Sequence, residues 1–160
     1  MGLAFSLCFS QGKLYLQNYS NYDLMMRVVG GSTTSCVPEA ITSMSFPAAT
    51  QAVINNYNDA FPYTTGWSVT TTMGTNPIGQ TIPSGLLTAI SPITRWKFAY
   101  YQTQDPVTGS TVYDTVDHNM GDSAAFPYCP WNSSTFIDGT VTDSFWFYIP
   151  SDNATYLVIQ

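Results

Sequence analysis

Arg95-Trp96-Lys97-Phe98-Ala99-Tyr100-Tyr101-Gln102-Thr103 is the stretch on which the fold class turns. Read with a period of two, it sends Trp96, Phe98 and Tyr100 one way and Arg95, Lys97, Ala99 and Tyr101 the other. β-branched and aromatic residues dominate it. It reads as an amphipathic strand, turned back at Asp105-Pro106-Val107-Thr108-Gly109 onto a partner from Ser110 to Asp117.

The pattern spreads outward from there. Asp23 to Val29 alternates, with Leu24, Met26 and Val28 on one face, and pairs as a hairpin with Lys13 to Gln17 across the turn Asn18 to Asn21. Leu3, Phe5, Leu7 and Phe9 give a first strand. Trp67 to Met73 is Thr-rich and β-prone, Asn76-Pro77 and Ile78-Gly79 mark turns, and Leu86 to Ile90 is a brief apolar run. Thr140 to Ile149 carries five consecutive large apolar residues, Phe145 to Ile149. Such a strand is buried on both faces or meets a partner. After the turn at Ser151-Asp152-Asn153, Tyr156 to Ile159 closes the chain. Ser32 to Pro47 looks irregular, and Pro47 to Asn56 is the best helix candidate, with Pro at its start. Turn signals recur about every ten residues between short strands. The expected fold is all-β: one domain spanning 1–160, an antiparallel sandwich with Greek-key or jelly-roll connections and little helix.

Composition narrows the function. Of 160 residues, 9% are charged and 15% aromatic, with a net charge of −6 and four basic residues. Charged residues make up about a quarter of an average chain. A surface built instead of Thr, Ser, Tyr and Asn suits extracellular glycan or lipid binders and self-assembling shells. Four cations are too few to neutralise a phosphate backbone, which excludes nucleic acid as a partner, and they supply no polybasic membrane anchor. No P-loop, G-x-S-x-G or H-E-x-x-H occurs, and no cofactor is implied. The lone histidine, His118, neighbours Asp117, but strand neighbours point to opposite faces, so that pair does not build a triad. Asp114, Asp117, His118 and Asp122 cluster in sequence. They converge on a calcium ion only if the strand ends near Val116, and are otherwise solvated loop residues. The three cysteines, Cys8, Cys36 and Cys129, are either three buried thiols or, in an oxidising compartment, one bridge and a thiol. In the second case Cys36 and Cys129 pair, because Cys8 lies in the apolar first strand.

Two loops repeat a phrase. Ala60-Phe61-Pro62-Tyr63, followed by Trp67, matches Ala125-Phe126-Pro127-Tyr128, followed by Trp131, which raises the expectation of two related halves. The second loop, Phe126-Pro127-Tyr128-Cys129-Pro130-Trp131, is stiffened by two prolines. Its rings either stack on a ligand or sit in a bilayer interface, or they plug one end of the sandwich. Arg95 and Lys97 at i and i+2 aim at one anion such as a phosphate head group, with the Tyr101 ring on the same face. Trp67, Arg95, Lys97, Tyr101, Tyr128 and Trp131 are therefore the candidate ligand-binding residues. Three N-x-S/T sequons, at Asn18, Asn132 and Asn153, fit a secreted chain.

Cys129-Pro130-Trp131-Asn132-Ser133 resembles the Asp-Cys-Pro-Trp-Gly-Ser stretch of aegerolysins, with Tyr128 and Asn132 standing where that family has Asp and Gly. Leu14-Tyr15-Leu16-Gln17-Asn18-Tyr19-Ser20 looks like the family's opening strand and turn. The resemblance implies a small acidic β-sandwich that binds membrane lipids, in some members as part of a pore-forming system with a larger partner. The expected function is a secreted, non-enzymatic lipid- or membrane-surface-binding protein that forms homo-oligomers. The alternatives are a lectin using the same aromatics on a glycan, and a self-assembling structural protein.

Overall fold

The computed structural model describes residues 11–160; the apolar run Leu3–Phe9 and Cys8 lie outside the described residues. Twelve strands form two packed sheets among those residues, 46% of the described residues being strand and 12% helix. β1 (Lys13–Asn18), β4 (Thr50–Ile54), β10 (Phe136–Asp138), β11 (Asp143–Ile149) and β12 (Ala154–Ile159) make the five-stranded sheet, in the order β10-β11-β12-β1-β4. The seven-stranded sheet runs β6 (Ile78–Thr81), β5 (Gly66–Thr70), β3 (Glu39–Phe46), β2 (Asp23–Gly31), β7 (Arg95–Gln104), β8 (Thr111–Val112), with β9 (His118–Met120) also on β7. Pairing is antiparallel except between β1 and β12. The expected all-β sandwich is the fold observed.

One hydrophobic cluster fills the space between the sheets. Leu14, Leu16, Trp146, Leu157 and Ile159 come from one sheet; Leu24, Met26, Val28, Trp67, Val69, Trp96, Ala99 and Tyr101 come from the other. Alternation along most of the strands turns the complementary residues outward. Tyr57, in a short 3-10 turn, lies inside this cluster with its ring edge-on to Trp67 and Trp96 at 4.9 and 5.4 Å. It rests directly on the backbone of β2 at Gly30, where any Cβ would collide with the ring and its hydroxyl.

Several expectations are corrected. β1 and β2 are not a hairpin. The Asn18 side chain donates to the carbonyls of Tyr22 and Pro47 and accepts from Ser20, and this plug turns the chain from one sheet to the other. Ser32–Pro47 is not irregular throughout: β3 occupies half of it, with Ala40, Thr42, Met44 and Phe46 inward. The stretch 47–56 holds β4 instead of a helix, because its edge position beside β1 supplies a ladder that outweighs alanine's helix propensity. The α-helix is Gly85–Ile90, capped by the Ser84 hydroxyl accepting from the Leu86 N–H. Ile78-Gly79 begins β6, where a turn was expected.

Candidate ligand-binding face

The alternation expected for β7 breaks at one place. Val29 pairs with Phe98 but Gly30 pairs with Trp96, so Lys97 is an extra residue without a partner. A bulge of this kind lets consecutive side chains avoid strict alternation. Trp96, Ala99 and Tyr101 accordingly share the core, while Phe98 lies outside the core cluster. Lys97 and Phe98 both meet the second aromatic loop. The Phe98 and Trp131 rings are 4.8 Å apart, and Lys97 Nζ is 6.0 Å from the Trp131 ring and 5.7 Å from that of Phe126. Glu39 ties the arrangement together, its Oε2 accepting from Lys97 Nζ at 3.0 Å and from Trp131 Nε1 at 3.1 Å. A disulfide joins Cys129 to Cys36, pinning the loop to the segment that precedes β3. Covalent bond, ion pair and ring contact together hold Trp131 on the outer face of the seven-stranded sheet.

Beside Trp131 a row of side chains crosses that face. Asn119, Tyr100, Arg27 and Ser43 are register neighbours on β9, β7, β2 and β3. Each sits between core residues, so each points out. Arg27, Phe98, Tyr100, Asn119, Trp131 and Asn132 enclose a cavity of about 430 Å³. Arg27 also borders a shallow groove of about 740 Å³, bounded further along by Ser43, Thr64, Thr65, Ser68 and Gln80. The continuous feature offers a planar indole, a phenol, one cation and a run of hydroxyls and amides. Its chemistry is neutral hydrogen bonding over ring faces.

A second polar group lies between the sheets. His118 Nε2 is 3.1 Å from Asp114 Oδ2, and Nδ1 is 2.8 Å from Ser144 Oγ and 3.0 Å from the Tyr101 hydroxyl. The connectivity is that of a Ser-His-Asp triad, with Asp114 in the place that Asp117 was correctly denied. Ser144 is wholly buried, however, and its hydroxyl donates to Met120 Sδ, so the serine of this group does not face solvent. Burial raises the Asp114 carboxyl, but hydrogen bonds from His118 and from the N–H groups of Thr140, Val141 and Thr142 outweigh it and hold it well below the usual carboxylate range. Burial pushes Tyr101 up to about 12. Asp117 is exposed and Asp122 caps a 3-10 turn through Ala124 N–H. The acidic cluster is thus dispersed, and among the described residues no group of three ligand-type side chains converges as a metal site.

The six residues expected to bind a ligand separate. Trp67 and Tyr101 are core residues, 2% and 1% exposed, and offer no surface to a ligand. Lys97 is buried and neutralised by Glu39. Tyr128, 71% exposed, and Trp131 stand on the loop as expected. Arg95 lies apart, its guanidinium 3.7 Å from the centre of the Tyr148 ring. Arg27, Tyr100 and Asn119 were not anticipated; the outward phase of Arg27 in an amphipathic strand was the available signal, whereas their meeting depends on strand register. Compared with known proteins, the chain matches no family model, no curated protein and no solved structure.

Proposed function

We propose that the chain is a non-enzymatic carbohydrate-binding protein working outside the cell, with the Trp131 face as its site. The observation that carries this reading is the immobilised Trp131 ring beside Tyr100, Arg27, Asn119 and Asn132 in one cavity. A sugar presents C–H groups on one face and hydroxyls at its rim. The first stack on an indole, and the second pair with amides and a guanidinium. A ring already fixed by Glu39, Phe98 and the disulfide loses little entropy on binding. The Cys36–Cys129 disulfide supports an oxidising compartment. Of the sequons, Asn18 is fully buried and serves its turn. Asn132 is exposed at the rim of the cavity, where a glycan would compete with the ligand. A glycan array probed with the wild-type protein is the test. Selective signal on one glycan class that Arg27→Ala and Trp131→Ala remove supports the proposal, and a blank array sinks it.

A lipid head group is the second reading. The resemblance to aegerolysins supports it, as does Tyr128, an exposed ring on the same disulfide-tied loop, placed as an interfacial aromatic would be. Vesicle sedimentation separates the two.

Self-association is proposed for the opposite face of the sandwich. On the outside of the five-stranded sheet, Phe147, Tyr156, Tyr15 and Val53 form one register row, with Phe147 and Tyr15 each stacked on Tyr156 at 4.9 and 4.5 Å. Phe136 and Phe145 extend it. An aromatic sheet face of this kind suits a second copy of the chain. Phe147→Asp should dissociate such an assembly, and a wild-type monomer at high concentration in light scattering would contradict it.

A further inference from the structure

Arg95 is the described cation whose surroundings the preceding sites leave unexplained. Its guanidinium carbon lies over the Tyr148 ring, 3.7 Å from the ring centre, and 6.0 Å from that of Phe126. Its Nε is buried and, among the described residues, has no hydrogen-bond partner. The ion pairs of the described residues are Lys97–Glu39 and His118–Asp114, and Arg95 belongs to neither. Two residues away, Lys97 has the counter-ion that Arg95 lacks. Arginine stays charged at any ordinary pH, and a buried donor without an acceptor is destabilising.

The space for an occupant is present. Arg95 lines a cavity of about 600 Å³ together with Trp96, Phe126, Trp146, Tyr148 and Thr155. This cavity shares no lining residue with the groove around Arg27 and Trp131. Asp122 also borders it, but its Oδ1 accepts from Ala124 N–H, and it stands outside ion-pair distance of Arg95. The walls are aromatic with a few hydroxyls. The volume lies in the range of small-molecule sites, roughly 300–1,000 Å³.

We propose that this cavity binds a small organic anion, a carboxylate or phosphate ester on an apolar body, through the Arg95 guanidinium. The planar fork matches two oxygens of either group, and the contact with the Tyr148 ring holds the guanidinium in place before the ligand arrives. The aromatic walls take the apolar body.

The test is calorimetric titration with phenyl phosphate and with benzoate, on the wild-type protein and on Arg95→Lys, which keeps the charge and loses the fork. Resonance of the Arg95 Nε–H is followed in parallel, as a readout that needs no variant. The expected result is saturable binding of at least one probe, a saturable shift of the Nε–H signal, and affinity lower by about tenfold or more in Arg95→Lys. No saturable binding of either probe, an unmoved Nε–H, or an unchanged affinity in the variant overturns the proposal. Sedimentation with phosphatidylserine vesicles identifies the source. With probe binding established, pelleting that Arg95→Lys abolishes assigns the anion to a lipid head group, and no pelleting assigns it to a free solute. Pelleting without probe binding contradicts the cavity as the site.

Discussion

The loops 60–67 and 125–131 share Ala-Phe-Pro-Tyr and a following Trp, yet the fold uses them in opposite ways. In the first, Phe61 is 73% exposed while Tyr63 packs on the core and Trp67 is inside it. In the second, Phe126 is 3% exposed, Tyr128 is in solvent and Trp131 lies on an outer sheet face. The shared phrase therefore does not carry a shared use. Trp67 follows four residues after Tyr63, at the start of β5, whose alternation drives it inward, and its Nε1 donates to the Tyr57 carbonyl. Trp131 belongs to no strand. It is held by Glu39, Phe98 and the disulfide, contacts that come from distant parts of the chain. The same local phrase becomes core or surface according to what the rest of the fold brings to it.

The comparison is broken most severely from the core side. Trp67→Ala should cost about 3–5 kcal/mol, since it leaves a large cavity beside Tyr57 and Trp96. Denaturant unfolding would show it, and a loss below about 1 kcal/mol would remove Trp67 from the core. Breaking the bridge comes next. Cys129→Ser opens a loop closed over 93 residues, and should cost about 2–4 kcal/mol while the first loop stays in place. Near-UV circular dichroism and unfolding together check both halves of that statement.

Acid should act on the approach to the second loop. β9 leads into it, and His118 on β9 is tied to Asp114. An unfolded aspartate takes up its proton near pH 3.9, roughly. In the fold Asp114 resists protonation until far lower, so its contribution is full above that range and is lost as pH falls below it. The urea midpoint should drop between pH 7 and pH 3 by more in the wild type than in Asp114→Asn; equal drops would show that Asp114 is not the group responsible. The smallest effect belongs to the exposed ring of the first loop: Phe61→Ala should stay within about 0.5 kcal/mol of wild type.

The strands with one buried face were readable. Asp23–Gly31 and Arg95–Gln104 alternate visibly, and the apolar run at Phe145–Ile149 marked a strand. β3 was hidden because Thr42, an inward residue, looks polar; inside, its hydroxyl donates to the Gly66 carbonyl. β4 was hidden because Ala48, Ala49 and Ala52 read as helix. The candidate site was half legible. A stiff loop with Trp131 is a local signal, but the bulge that brings Lys97 and Phe98 together under it arises only from pairing with Gly30, and Arg27, Tyr100 and Asn119 meet only through register. The disulfide partners were named among the alternatives, on the ground that Cys8 belongs to an apolar strand.

The most direct test of a ligand face built on Trp131 is the affinity of Trp131→Ala for the glycan that the wild-type protein selects, measured by calorimetry alongside its melting temperature. Binding should fall by about tenfold or more, with the melting temperature nearly unchanged, because Trp131 lies outside the core cluster. A variant that loses about 3 kcal/mol of stability while keeping its affinity would make Trp131 a plug for the sandwich and contradict the assignment.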